Sequence, residues 1–352
     1  MEKKVRTIAF YLPQFYPTPE NDEWWEPGFT EWTNVARSKP LFKGHYQPRI
    51  PQELSFYDLR VPETRIKQAQ LAREAGIEGF CYWHYWVSGR RLLDKVFSEV
   101  VASGSPDYPF CLCWANHSWY QKTWDPSKPD KMLIEQTYPG EEDYVAHFNA
   151  MLPAFKDKRY MKVDGKLIFG IFNSDNIPSF PLMKEIWNDL AQKNGLDGFW
   201  FFGFIQKDTR VDGTRDKGYD ALVYENMSNV YDYHWAEWQK RISHFFHRPK
   251  TLPYKVYVEK SISFFQKHPE FVPCIMPNFD HSPRSSFRGR ILKENSPEEW
   301  GRFCAETVQM LQDRKEPILF IKAWNEWGEG NYLEPDALFG NRYLEECKKV
   351  FV

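Results

Sequence analysis

No stretch of this 352-residue chain approaches the roughly 20 consecutive apolar residues that a membrane-crossing helix needs. Net charge is equally scarce. With 46 Lys and Arg against 48 Asp and Glu, the chain as a whole carries no electrostatic footprint for nucleic acid or an anionic membrane. The six cysteines (Cys81, Cys111, Cys113, Cys274, Cys304 and Cys347) lack the paired spacing of a zinc site and mostly fall in apolar runs, so buried, reduced thiols are expected. Cys111 and Cys113 share one face of a strand, with no second pair nearby. Phosphate-cradling loops of the G-x-x-x-x-G-K-[ST] or G-x-G-x-x-G kind are missing, as are a G-x-S-x-G nucleophile elbow and any D-x-D triplet. Nothing calls for a metal or a cofactor. The segment from Met1 to Arg6 is basic, but the apolar stretch behind it is broken by Pro13 and has no small-residue cleavage site. It does not read as a signal peptide, and a cytoplasmic protein is the expectation.

What is abundant is aromatic: 15 Trp, 19 Tyr and 28 Phe make 18% of the chain, more than a core of this size normally takes, so some must line a surface or pocket. Strand-like runs cover 7–12, 79–86, 110–115, 167–172, 199–205, 221–224, 273–276 and 318–323. Nearly every one is followed by a helix-like run. Leu92, Leu93, Val96, Phe97, Val100 and Val101 repeat at three and four residues, and Tyr144, Phe148, Met151 and Phe155 do the same after the third strand. Before the last strand Ser296 can cap, and Pro297 open, a helix with Trp300, Phe303, Cys304, Val308 and Leu311 inward. A short echo, Gly76 to Phe80 against Gly195 to Phe199, puts one glycine at a helix end and a second before a strand. Eight βα units without a linker or low-complexity tract predict an α/β fold, a single (β/α)8 TIM barrel spanning 1–352 with long βα loops. The polar, glycine-containing stretch 207–220 is the weak helical unit. The first loop, 13–62, is far longer than usual and carries Trp24, Trp25, Phe29, Glu31, Trp32, Asn34 and Tyr46, a set suited to covering the mouth.

In such a barrel the residues just past each strand converge on one mouth. In strand order they include Gln14; Tyr82, His84 and Tyr85; Trp114, Asn116 and His117; Asn173; Gln206; Glu225; Asn278 and Asp280; and Asn325, Glu326 and Glu329. Amides, imidazoles, carboxylates and indoles together suit a polyhydroxylated ligand, with polar atoms at its rim and an aromatic under its C–H face. Glu326 and Glu329 stand three residues apart around Trp327, directly after an apolar strand. One protonated acid and one ionised base or nucleophile beside an apolar surface are what glycosidic-bond chemistry requires. These two are the candidate catalytic residues. Gln14, Trp32, Tyr46, Tyr82, His84, Trp114, Asn116, His117, Asn173, Glu225, Asn278, Asn325 and Trp327 are candidate contacts to an oligosaccharide or polysaccharide. Glu334, before Pro335, either joins them or holds the loop's shape.

The run Asn325-Glu326-Trp327-Gly328-Glu329-Gly330 with Glu334-Pro335 resembles the N-E-W-x-E-G…E-P signature of glycoside hydrolase family 99, the endo-α-mannosidases and mannanases. It also resembles the WbsX group, GH99-like proteins of bacterial surface-polysaccharide loci often labelled glycosyltransferases. Tyr11 to Phe15, Trp24-Trp25, Phe29 to Val35, Gly44 to Pro48 and Gly79 to Trp86 extend the likeness over most of the chain. The resemblance implies the same barrel. It further implies that Glu326 acts as base on the sugar's own 2-hydroxyl, giving a 1,2-anhydro intermediate, and that Glu329 protonates the leaving oxygen. Where hydrolase members have His between the two acids, this chain has Gly328. Two activities follow as expectations: a retaining hydrolase or transglycosidase on α-linked mannose-like residues, or a glycosyltransferase of O-antigen, lipopolysaccharide or capsule synthesis.

Overall fold

The computed structural model describes residues 5–121 and 130–352; residues 1–4, on which the reading of the N-terminus partly rests, lie outside that range. Eight strands form the centre: β1 (Arg6–Tyr11), β2 (Gly79–Val87), β3 (Phe110–Trp114), β4 (Lys166–Ile171), β5 (Phe199–Ile205), β6 (Ala221–Glu225), β7 (Val272–Ile275) and β8 (Ile318–Ile321). Each pairs in parallel with the next, and β8 pairs back onto β1, with Arg6 opposite Ile318 and Ala9 opposite Ile321. The sheet is closed, so the fold is the (β/α)8 barrel. A parallel sheet covered on both faces demands apolar residues at every position, which is why β2 and β8 are buried along their whole length.

The helices follow in turn: α1 (Pro62–Glu74), α2 (Lys95–Ser103), α3 (Glu141–Phe155), α4 (Phe180–Lys193), α5 (Val211–Arg215), α6 (Tyr254–Lys267), α7 (Pro297–Leu311) and α8 (Arg342–Phe351). Helix α7 starts as its sequence predicts. The Ser296 hydroxyl accepts the Glu299 N–H at 3.2 Å, Pro297 fills the first turn, and Trp300, Phe303, Cys304 and Leu311 are buried. Gly76 and Gly195 end α1 and α4 with φ of 81° and 73°, a left-handed conformation that glycine adopts without strain.

One detail departs from the sequence reading. The repeat begun at Leu92 is not helical at its start: Leu92 pairs antiparallel with Tyr85, Leu93 turns at φ 51°, and α2 begins only at Lys95. The 207–220 stretch, the weak helical unit of the sequence, supplies only a 3-10 turn (Asp208–Arg210) and the short α5. All six cysteines are buried, free thiols. The first βα loop holds two short helices, Pro19–Trp24 and Glu31–Arg37, the second opened by a capping box between Thr30 and Thr33. That loop is braced internally by Trp32, whose indole N–H donates to the Tyr57 carbonyl at 2.7 Å, and is pinned to the barrel by His45 and Gln47, which both reach the buried Asp280 carboxylate.

Candidate active site

The eighth strand passes directly into the site. Just past β8, the Lys322 N–H continues the ladder to the Ile275 carbonyl, which aims its side chain into the barrel mouth. Asn325 then clamps the backbone of Leu12, accepting its N–H at 2.7 Å and donating to its carbonyl at 3.1 Å. Asn325 and Glu326 pair antiparallel with Tyr332 and Asn331, and the 3-10 turn Trp327–Glu329 closes this hairpin. Its underside is fixed as well. Trp327 stacks on Tyr332 at 3.7 Å and donates to Glu334 at 2.6 Å, and Glu334 also accepts from Tyr57 and Gln68. Glu334 thus holds the loop's shape, the second of the roles its sequence context allowed.

Above the hairpin lies a cavity of about 460 Å³. Its apolar side is aromatic, with Trp24, Trp25 and Phe29 from the first loop facing Trp83, Tyr85 and Trp119. Its polar side carries Glu326, Glu329, Lys322, His281, Arg284 and Glu31. A second cavity of about 420 Å³ adjoins it and shares Phe172, His281, Lys322 and Glu329. Glu329 therefore stands at a waist between two lobes.

The two carboxylates are electrostatically unlike. Lys322 Nζ is 3.1 Å from Glu329 Oε2 and 3.8 Å from Glu326 Oε2, while Arg284 bridges Glu329 at 2.7 Å and Glu31 at 3.0 Å. Burial and the neighbouring Glu329 charge push Glu326 up to about 7, and its buried Oε2 has no hydrogen-bond partner. Burial acts on Glu329 in the same direction, but Lys322, Arg284 and His281 outweigh it and hold the group near 2. The pair is thus split, Glu326 held above and Glu329 below the ordinary carboxylate range, so Glu326 is the one that keeps its proton further toward neutral pH. Burial also lowers His281 to about 4, so its imidazole is charged in acid, where Glu329 titrates, and neutral near neutral pH. Gly328 sits between the acids for steric reasons: a Cβ there would lie 2.1 Å from Glu31 Oε2 and 3.0 Å from Arg284 Nε.

Of the residues singled out in the sequence, Gln14, Tyr85, His117, Glu326 and Glu329 line this cavity with Trp24, Trp25, Phe29, Glu31 and Asn34 of the first loop, Gln14 donating to the Tyr85 hydroxyl at 2.6 Å. Gln206 and Glu225 line the adjoining one. The others turn elsewhere. Tyr82 packs outward on Tyr11 and Phe97, His84 shares a 2.7 Å hydrogen bond with His147, and Trp114 donates to the Trp86 carbonyl at 2.9 Å. Asn116 clips Asn173 by accepting its N–H at 2.7 Å, and Asn278 holds the Tyr332 backbone. Trp32 and Trp327 pack against each other in the core, Asn325 is spent on Leu12, and the half-buried Tyr46 lies beside Arg49, outside both linings. Sequence reasoning overlooked Trp83, Lys322, His281 and Arg284. Lys322 had a signal, a lone cation closing a wholly apolar strand; Arg284, inside a polar turn, had none. Among the described residues no group of three or more His, Cys, Asp or Glu is positioned to hold a metal.

A family model described as Glycosyltransferase WbsX matches residues 7–347. The chain belongs to the WbsX family. It is 35% identical over 97% of its length to WxcX of Xanthomonas campestris pv. campestris, an uncharacterised protein of which it spans about half, 49%. Among solved structures, a glycoside hydrolase-like protein is similar with TM-score 0.64 at 15% identity, covering 99% of this WbsX chain and 94% of the other. The GH99 endo-α-mannosidase from Bacteroides thetaiotaomicron is similar with TM-score 0.55 at 13% identity, covering 98% and 95%. At such identities the likeness concerns the barrel. No helix among the described residues is long and apolar enough to cross a membrane.

Proposed function

We propose that this WbsX protein is a carbohydrate-active enzyme whose barrel, read as one catalytic domain over 1–352, cleaves or transfers α-linked mannose-like residues of a bacterial surface polysaccharide with retention. The observation that carries this reading is the Glu326–Glu329 pair, one carboxyl held above and one below the ordinary range, open to an aromatic-walled cavity. The indoles of Trp24, Trp83 and Trp119 suit the C–H face of a sugar, and Gln14, His117, Glu31 and Arg284 suit its hydroxyls. Water would be limited by the first loop.

The resting charges favour Glu326 as proton donor and Glu329 as base, the reverse of the division implied by the family resemblance. A fluoride donor separates the two, because its leaving group needs no protonation. Glu326→Gln should keep turnover of a glycosyl fluoride while losing that of an oligosaccharide; Glu329→Gln should lose both. The opposite pattern would restore the other division, and full activity in both variants would remove the pair from catalysis.

The second reading is a glycosyltransferase, favoured by the family's own description. It would act in cytoplasmic assembly of O-antigen, lipopolysaccharide or capsular polysaccharide. Transfer from a nucleotide-sugar to a glycan acceptor, with no hydrolysis of glycosyl fluorides, would support it over the first.

A further inference from the structure

The segment following β6 inverts the usual rule of a surface helix. In the helix Glu237–Phe245 the buried residue among the described side chains is Ser243, 6% exposed, whose hydroxyl donates to the Arg248 carbonyl. Trp238, Ile242 and Phe245, which share one face at spacings of four and three, point to solvent with Phe246 beside them. Tyr233 is 81% exposed, Phe245 78%, Trp238 63% and Phe246 61%. Among the described residues, only the C-terminal Val352 is a comparably exposed large apolar side chain. Contiguous apolar exposure of this kind marks a contact surface.

What it contacts is indicated by its rim. A groove of about 540 Å³ beside the helix is lined by Lys240, Arg241, Arg248, Lys250 and Arg288, with Phe245 and Phe287 between them. The nearby acid Asp232 is engaged by Lys207 and Lys240. Aromatics that insert beside cations that remain at the headgroups are the composition of a helix lying in a membrane interface. The near-zero charge of the whole chain conceals this local clustering of cations. Arg288 lines both this groove and the second lobe of the active-site cavity, so the surface adjoins the mouth of the barrel.

We propose that the 233–250 segment docks the protein on an anionic lipid surface, with Trp238, Phe245 and Phe246 inserted and Arg241, Arg248 and Lys250 at the headgroups. The mouth then faces the bilayer, where a lipid-linked glycan would be presented. Sedimentation with phosphatidylglycerol-containing vesicles and with pure phosphatidylcholine vesicles tests this without any enzymatic assay. Binding is expected to the anionic vesicles alone and to weaken in high salt. Arg241→Glu with Arg248→Glu should weaken it by at least about fivefold per cation removed. The triple variant W238S/F245S/F246S should abolish it while its melting curve stays at the wild-type position, since these side chains support no core. Failure to sediment with anionic vesicles, binding unchanged in either variant, or dimerisation through this face in place of vesicle binding would each overturn the proposal.

Discussion

Replacing Glu329 by Gln should change the acidity of its neighbour by an amount that the geometry fixes. In the native site Lys322 attracts both Glu329 at 3.1 Å and Glu326 at 3.8 Å. Glu326 is then left high by burial and by the Glu329 charge. The substitution deletes the repulsive neighbour, while Arg284 keeps Glu31 as its partner. Lys322 is left with Glu326 as its charged partner in that hairpin. Lys322 attracts Glu326 at 3.8 Å before and after the substitution, so what changes is the Glu329 repulsion; at an effective dielectric of about 20 a unit charge about 4 Å away is worth about 4 kcal/mol, a ceiling of about three pKa units. A fall of roughly two units, from about 7 into the ordinary carboxylate range, is the expected outcome. Carbon-13 NMR of carboxyl-labelled glutamate through a pH series would follow it. Glu334, pushed up to about 7 by burial and held by Trp327, Gln68 and Tyr57, serves as an internal reference that should not move. A raised carboxyl stabilises the fold at low pH and loses that contribution as pH rises through its folded value. The variant should therefore lose part of the native decline in stability between about pH 5 and 7. Glu326 still titrating near 7, or shifting upward, would refute the charge assignment.

Gly328→Ala drives a methyl into the Glu31 carboxylate and should lower both the melting temperature and activity; removing the carboxylate as well, in G328A/E31A, should recover much of the stability if that clash is the cause. Glu334→Ala leaves three buried donors without an acceptor and should cost about 3 kcal/mol or more in a denaturant titration. His84→Ala breaks the pair with His147 and should cost about 1–3 kcal/mol while leaving kcat/KM unchanged, because neither imidazole reaches the cavity.

The barrel was legible because closed parallel strands are apolar on both faces, and long apolar runs punctuated by glycine survive any uncertainty about their ends. The same property hid the phase of each strand. Along β2 the sequence is aromatic at nearly every position, so nothing in it says whether Tyr82 and His84 or Trp83 and Tyr85 face inward; the structure turns Trp83 and Tyr85 to the cavity. At the end of β3 the same ambiguity puts Ala115 and His117 inside and Trp114 and Asn116 outside. Amides at strand ends were ambiguous for another reason: Asn116, Asn278 and Asn325 satisfy backbone groups of neighbouring loops, a use that sequence cannot separate from binding a hydroxyl. Arg284 was invisible because it meets Glu31 and Glu329 only through contacts of very long sequence separation.

The central claim is that Glu326 and Glu329 face one bound sugar linkage, and a crystal structure with a mannose-containing oligosaccharide and the inactive Glu329→Gln protein tests it most directly. The account predicts a sugar ring against Trp83 and Trp119, with its glycosidic oxygen within hydrogen-bond reach of position 326 or 329. A saccharide bound elsewhere, with both positions out of reach of that oxygen, would contradict it.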